Sequence, residues 1–410
     1  MKTAVLTLSH LLRIRPGEGA RVVLMLVYSV AAVGGVVITG QLASRVLFLG
    51  QLSGSDLPYK FILPPLSLML VAALYGQIAN CWRRDHLIIG TCLLAIAGFL
   101  GLRLLLALPA GHSFASVCGL YVFTDVVSAL VVLQFWTFAG DIFDPREARR
   151  LFGLIAGGST LSNLLFGGAL SLTADRIEPA QLLYIVSLSL LVCVICVAAL
   201  GRRCAGMLRL ARQFRPGAQA TTVDACTHPL VLSLAGLVLI VTIVSNVADY
   251  QLDLALRALY GSDTAGMLSF LGTFRAIAGI GAFVLQFFVA SRLVDRFGLI
   301  AALLLLPAAI AVGGSVILLT AGALWAVAIP RAGDVVLKYT VHDAAVNLLF
   351  LPLGDRLRAR AKALIDGILK PPIAAAAGLV FLWVGPGTAP ADWVPALFVW
   401  SWPDLAGWGW

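Results

Sequence analysis

Residues 182–200 read LLYIVSLSLLVCVICVAAL, a run of nineteen positions without a charged side chain. A helix of about 20 apolar residues is long enough to cross the hydrocarbon core of a bilayer, so this run predicts a transmembrane helix. Similar blocks recur along the whole chain and predict about twelve spans. They lie at 22–44, 61–81, 87–108, 114–138, 151–172, 181–200, 229–252, 266–290, 299–320, 322–350, 371–385 and 393–410.

The composition excludes most other classes of protein. Of the 410 residues, 60% are apolar and only 12% are charged, whereas soluble domains have about half and a quarter. An ordinary soluble enzyme, a disordered protein and a disulfide-rich secreted domain are therefore excluded. The chain also lacks a phosphate-binding loop, an HExxH motif and a paired-cysteine metal site. We therefore expect an all-α polytopic membrane protein that is not an enzyme, with no catalytic residues, no metal and no cofactor.

The formal charge of +9 reflects an excess of basic residues whose distribution indicates the membrane topology. With the N-terminus in the cytoplasm, 21 of the 29 basic residues fall in cytoplasmic segments, four fall outside and four fall within spans. This count assigns Lys60 to the outside. Cytoplasmic loops of membrane proteins carry such an excess of Lys and Arg. The bias supports the predicted spans and orientation, and we expect the lipid bilayer, not nucleic acid, as the partner of the basic surface.

An internal repeat divides the chain into two halves. Leu42–Phe48 closes span 1 in the same way as Leu254–Tyr260 closes span 7, at an offset of 212 residues. Two further anchors in cytoplasmic loops keep nearly the same offset. The predicted organisation is a six-helix half at 1–200, a basic linker at 201–228 and a second half at 229–410. Two parallel six-helix halves are the plan of the major facilitator fold, which binds substrate near the bilayer midplane between the halves.

Ionisable side chains within the spans are the candidates for substrate binding. Each costs about 2.5–3.5 kcal/mol on insertion scales unless it is paired or hydrated. On span 10, spacings of three and four residues put the charged side chains on one helical face. That face is compatible equally with a buried ion-pair network and with substrate contact. The candidates are Arg103, Asp125, Asp249, Arg275, Arg331, Asp334 and Lys338.

A second set of charges lies in the predicted cytoplasmic loops. We interpret them as latches that break when the inward side opens, and the alternative is that they only determine topology. These cytoplasmic gate candidates are Arg83, Arg84, Asp141, Glu147, Arg149, Arg150, Arg360, Lys362 and Asp366.

Two stretches resemble the ATP/ADP carriers of plastids and obligate intracellular bacteria. Phe135–Ile142 followed by Glu147–Gly153 is similar to the span 4–5 signature of that family, and Lys338–Asp343 followed by Leu351–Leu353 is similar to its span 10 signature. The resemblance implies a secondary transporter that works by alternating access in a bacterial inner membrane. It also implies a small anionic substrate, such as a nucleotide exchanged as ATP for ADP.

The chain departs from those carriers at charged positions. Val346-Asn347 stands where they have a Lys-Glu pair, and Gln41 lies in a segment of span 1 where they carry several charges. Two alternatives therefore stay open. One is a transporter of an unrelated solute, proton-coupled through Asp125 or Asp249. The other is a non-transporting membrane scaffold or sensor with a decayed transporter fold. For a transporter, we expect a functional monomer.

Overall fold

The computed structural model describes residues 18–79, 82–108, 113–204, 229–286, 324–338 and 363–384, together with isolated positions between these ranges. Within them all regular structure is helical. The helices are α1 (Gly19–Val30), α2 (Thr39–Gln51), α3 (Tyr59–Ala79), α4 (Arg84–Leu106), α5 (Phe114–Ile142), α6 (Pro145–Thr173), α7 (Leu182–Arg203), α8 (Pro229–Tyr260), α9 (Thr264–Val284), α10 (Leu324–Leu337) and α11 (Lys370–Val384). Two π-helical segments occur at Ala31–Ile38 and Ala363–Leu369.

The helices follow the predicted apolar blocks closely. In the described part of the chain, eight helices are long and apolar enough to cross a membrane, and a shorter apolar helix covers Gly367–Trp383. The prediction of a polytopic all-α membrane protein is confirmed. The full count of twelve stays a prediction, because the block at 393–410 and most of the block at 299–320 lie outside the described residues.

The outward surfaces of these helices are apolar. Large side chains such as Leu94, Leu172 and Trp383 are 73%, 85% and 87% exposed. Soluble monomers rarely expose so many large apolar side chains to water, whereas in a bilayer lipid covers them. The exposure pattern is that of an integral membrane protein.

The chain divides into two compact units, and each combines segments from before and after the central linker. The first comprises Met1–Phe48, Leu70–Ala218 and Leu268–Gly279. In its core, the ring of Tyr28 packs edge-on against Phe135 with centroids 5.1 Å apart. The second comprises Leu49–Met69, Gln219–Met267 and Ile280–Trp410.

In the first unit, α6 crosses α9 at backbone contact distance. A Cβ atom on Gly167 would lie 2.8 Å from the carbonyl oxygen of Gly272, and one on Gly272 would lie 2.7 Å from that of Gly167. Only glycine allows two helices to approach this closely, which is the usual role of small residues in membrane helix packing. Gly167 therefore lies at a close contact between two helices. The adjacent Gly168 has no neighbour within 4 Å of such an atom.

Replacement of these glycines tests the crossing. We expect Gly272→Ala to lower the free energy of unfolding by about 1–3 kcal/mol, because the added methyl group overpacks the contact. Gly168→Ala is the matched control and should be neutral or slightly stabilising, since alanine favours a helix and meets open space. Thermal unfolding of the detergent-purified variants measures both. Equal melting temperatures for the two variants would contradict the close crossing.

Candidate functional site

Three polar side chains share one face of α8 in the second unit. Ser245, Asp249 and Asp253 are spaced by four residues, which places them one above another along the helix. Ser245 and Asp253 are buried, and the Asp249 side chain is only 13% exposed. Two ionised carboxylates buried on one face of a membrane helix need cations from neighbouring helices beside them.

Lys60 provides the first of these cations. Its ammonium donates to Asp249 Oδ2 at 2.7 Å and also to Asp253 Oδ2. The count of basic residues assigned Lys60 to an outside loop or span end, and the structure places it in the first turn of α3, within the span Gly54–Ile78, where it is buried. The carboxylates of α8 make this burial possible, since they neutralise the ammonium away from water.

Arg331 on α10 provides the second cation. It contacts Asp249 Oδ1 at 2.9 Å and forms an ion pair with Asp334 three residues along its own helix. Ser245 Oγ donates to the other oxygen of Asp334 at 2.9 Å. Of the two readings of the span 10 face, the ion-pair network is present for Arg331 and Asp334.

Lys338, the last residue in this series of contacts, meets a hydroxyl group instead of a carboxylate. Its ammonium donates to Ser245 Oγ at 3.0 Å, and among the residues that the structure describes it has no carboxylate partner. The seven side chains Lys60, Ser245, Asp249, Asp253, Arg331, Asp334 and Lys338 are called the charge network below. Three acids and three bases make its formal charge zero. Hydrogen bonds and ion pairs join α3, α8 and α10 through this network.

Aromatic rings shield one end of the charge network. Tyr250 and Phe381 stack with parallel rings and centroids 4.4 Å apart, and Phe61 packs edge-on against both. The Lys60 ammonium lies 5.1 Å from the centre of the Phe61 ring. A low local dielectric strengthens the ion pairs beside these rings and raises the cost of any unpaired charge.

The remaining substrate-binding candidates lie in the first unit. Arg275 donates to Gln41 Oε1 at 3.1 Å. Arg103 lies over the ring of Tyr184 at 5.6 Å, and its Nε has no hydrogen-bond partner among the described residues. Asp125 is half-buried on α5. The structure therefore brings four of the seven candidates together, and these are Asp249, Arg331, Asp334 and Lys338.

The cytoplasmic gate candidates that are described form ion pairs within the first unit. Arg84 meets Asp141 at 2.8 Å, joining the start of α4 to the end of α5. Glu147 accepts from Arg21 at 3.2 Å, and Arg83 pairs with the neighbouring Asp85. The side chains of five further candidates lie outside the described residues, namely Arg149, Arg150, Arg360, Lys362 and Asp366. The latch role stays a prediction.

Metal ligation finds no support in the described part of the chain, which contains no group of three or more His, Cys, Asp or Glu side chains arranged around a common point.

Comparison with solved structures relates the arrangement to known folds. A single-residue variant of the nucleoside transporter NupG matches with a TM-score of 0.69 at 11% identity, over 93% of this chain and 96% of that one. The POT family transporter PepTSo matches with a TM-score of 0.65 at 13% identity, over 92% of this chain and 95% of that one. The xylose transporter XylE from E. coli reaches 0.59 at 14% identity, over 93% and 96%. The chain has the major facilitator fold.

Sequence comparison agrees with the resemblance seen in the motifs. An ADP,ATP carrier protein 1 of Chlamydia muridarum is 22% identical over 311 residues, which are 66% of this chain and 58% of the carrier. The corresponding carrier of Chlamydia trachomatis is 22% identical over 279 residues, 58% of this chain and 53% of the carrier. The matches thus span less than two thirds of these relatives. No model of a known protein family matches the chain. The relatives and structures named above are transporters rather than enzymes.

Within this facilitator fold, sequence reasoning missed three members of the charge network: Lys60, Ser245 and Asp253. The predicted span 7 ended at residue 252, one position before Asp253, whereas α8 continues to Tyr260. The repeated spacing of Ser245, Asp249 and Asp253 was a usable signal. Lys60 had no comparable signal, because its partners lie 189 and 193 residues away in the sequence.

Removal of the bridging hydroxyl tests the charge network. Ser245→Ala leaves Asp334 and Lys338 each without one hydrogen bond, so we expect a loss of about 1–3 kcal/mol in the free energy of unfolding. Ser233→Ala on the same helix is the matched control, because among the described residues its hydroxyl bonds to the carbonyl of Pro229 alone. Chemical denaturation in detergent compares the two. If Ser233→Ala lowers the free energy of unfolding as much as Ser245→Ala does, the Ser245 bridge does not contribute more to stability than an ordinary serine hydroxyl.

Proposed function

We propose that this protein is a secondary active transporter that moves a nucleotide, or another organic anion, by alternating access. One observation carries the proposal: Lys338 holds a charged ammonium within a span and, in the described residues, meets only a hydroxyl group. The major facilitator fold supplies the transport framework. The charge network supplies the chemistry that would recognise the substrate.

Lys338 is suited to bind an anion. An ammonium has three hydrogens, and the contact with Ser245 uses one of them. The carboxylate of Asp334 is already occupied by Arg331 and Ser245. A phosphate or carboxylate group of a substrate would therefore find at Lys338 a cation that is paired with no acid among the described residues.

Arg331 is the second cation of the network that a substrate could recruit. Its planar guanidinium matches the geometry of phosphate and carboxylate groups. When Arg331 turns from Asp249 toward a substrate, Asp249 keeps its contact with Lys60. The shared carboxylate thus lowers the cost of releasing Arg331, because no buried charge is left alone.

The substrate class rests on the relatives. The chlamydial proteins are named ADP,ATP carriers, and the NupG structure is that of a nucleoside transporter. Lys338 lies in the stretch Lys338–Asp343, which resembles the span 10 signature of the carriers. This chain has Val346-Asn347 where the carriers have a charged Lys-Glu pair. The proposal is therefore stated at two levels: exchange of ATP for ADP as the specific hypothesis, and transport of another organic anion as the general one.

The proposal also covers the oligomeric state, the membrane orientation and the two halves of the protein. The protein would work as a monomer in a bacterial inner membrane, with a cytoplasmic N-terminus and two halves at 1–200 and 229–410 joined by the linker 201–228. The distribution of basic residues supports this orientation. The ion pair of Arg84 with Asp141 would hold helix ends on the cytoplasmic side. Arg103 and Arg275 would be further anion contacts.

Exchange in proteoliposomes tests the proposal. Vesicles loaded with ADP should take up labelled ATP, and Lys338→Gln should lower this uptake more than about tenfold, because loss of a buried charge contact costs about 2–5 kcal/mol of binding. Lys338→Arg should retain part of the activity. Arg202→Gln is the control, since Arg202 is exposed at the end of α7 and outside the charge network.

The negative outcomes are separable. A folded wild-type protein that exchanges no nucleotide or other organic anion would end the substrate proposal and leave the fold. Uptake of a neutral solute that depends on a pH gradient and is lost in Asp249→Asn would favour the proton-coupled alternative. Unchanged anion uptake in Lys338→Gln would assign Lys338 to the structure of the protein.

A further inference from the structure

Two segments of the chain pack with the sequence half to which they do not belong. Leu49–Met69 lies before the central linker but belongs to the second compact unit, and Leu268–Gly279 lies after the linker but belongs to the first. At the repeat offset of 212 residues, positions 56–67 correspond to positions 268–279. The exchanged segments are therefore equivalent in the repeat, and they contain the beginnings of α3 and α9.

In the second unit, opposite charges join the exchanged segment to α8. Lys60 forms ion pairs with Asp249 and Asp253, and Arg257 interacts electrostatically with Asp56. Asp56 and Lys60 are four residues apart, and so are Asp253 and Arg257, so the two segments present alternating charges that match in antiparallel order. These five side chains are called the ion-pair contact below.

In the first unit, small residues join the exchanged segment to α6. The glycine crossing of α6 and α9 continues in both directions along the helices. A Cβ atom on Gly279 would lie 2.8 Å from the Cβ atom of Asn163, and the hydroxyl groups of Ser171 and Thr273 are 2.6 Å apart. The small-residue contact comprises Asn163, Gly167, Ser171, Gly272, Thr273 and Gly279, none of which is charged.

The two contacts respond differently when water enters. Charges that separate into water are hydrated again, so an ion-pair contact that opens to water recovers much of the desolvation penalty that its burial costs. Two helices that meet through small residues have few interlocking side chains between them. Such helices can change their crossing angle while their backbones stay in contact. The first type of contact suits a gate and the second suits a pivot.

The aromatic rings next to Lys60 divide in the same way. Tyr250 on α8 and Phe381 on α11 stack on one another, and Phe61 on α3 packs edge-on against both. Movement of α3 would remove Phe61 from the cluster and leave the stacked pair together. The approach of α3 to α11 belongs to the same contact, since a Cβ atom on Gly378 would lie 2.6 Å from Ile62 Cγ1.

We propose that the ion-pair contact is a gate and that the small-residue contact is the pivot about which this gate opens. The inference rests on the proposed transport function, to which it adds the moving and the fixed contact. Both lie on the side of the membrane where α3 and α9 begin, which the count of basic residues assigns to the outside. On opening, the start of α3 leaves α8 and α11, whereas α6 and α9 stay in contact.

Disulfide bonds across the two contacts test which of them opens during transport. Ile62→Cys with Gly378→Cys brings two sulfur atoms together across the gate, and Ser171→Cys with Thr273→Cys does so across the pivot. Oxidation with diamide should abolish exchange of labelled ATP for ADP in the gate pair, and reduction should restore it. The oxidised pivot pair should keep most of its exchange. The four single-cysteine variants control for the native cysteines, and mass spectrometry verifies each bond.

Thiol labelling tests the gate without any substrate. Leu57 lies between Asp56 and Lys60 in the sequence and is fully buried, so a cysteine at this position reports opening. A water-soluble maleimide should label Leu57→Cys severalfold faster when Lys60→Met is added, because the closed state then loses its ion pairs. Leu271→Cys, which is buried beside the pivot on α9, is the matched control and should label equally slowly with and without Lys60→Met. Addition of Lys60→Arg should keep the labelling of Leu57→Cys slow.

Four results would overturn the inference. They are exchange that survives the gate disulfide, exchange that is lost with the pivot disulfide, labelling of Leu57→Cys that does not depend on Lys60, and labelling that rises equally at Leu57→Cys and Leu271→Cys. If Lys60→Met yields no folded protein, the same labelling on Lys60→Gln decides.

The failures of the two proposals are distinguishable. If a folded wild type exchanges nothing while Lys60→Met speeds the labelling of Leu57→Cys alone, the transport proposal has failed and the gate stands. If exchange is present while the labelling or the disulfides give one of the contrary results, the assignment of gate and pivot has failed and transport stands.

Discussion

A charge buried within a membrane span must be neutralised by another charge, and the second unit of this protein is arranged around that constraint. Asp249 and Asp253 would each be costly in an apolar helix, and so would Lys60 and Arg331. Together they form ion pairs that tie the start of α3 to α8 and α8 to α10. The rings of Phe61, Tyr250 and Phe381 pack against one another beside these ion pairs.

The same constraint allows the charge network to rearrange. Asp249 has two cationic partners and Ser245 bonds to both Asp334 and Lys338. A group with two partners can lose one without becoming an isolated charge, so movement within such a network costs less than breaking a single pair. A transporter needs this property, because its binding groups must release and regain substrate in each cycle.

The candidate site was partly predictable. Asp249, Arg331, Asp334 and Lys338 stood out because an ionisable residue in an apolar run is conspicuous at its own position. Lys60 was not predictable, since it lies near a helix end, where a lysine ordinarily reaches water. Its burial depends on Asp253, which is 193 residues further along the chain. Arg103 and Arg275 were equally conspicuous in the sequence, yet they lie in the first unit with other partners.

The apolar blocks of the sequence are sufficient to show that the chain crosses a bilayer and roughly where each described helix begins and ends. This is possible because spanning a membrane depends on about 20 consecutive apolar residues, a property that each segment carries locally. The tertiary structure alone decided which charges meet, which glycines lie at a helix crossing, and that each compact unit draws on both sides of the linker. These are contacts between residues far apart in sequence, and their geometry follows from the packing of whole helices against one another.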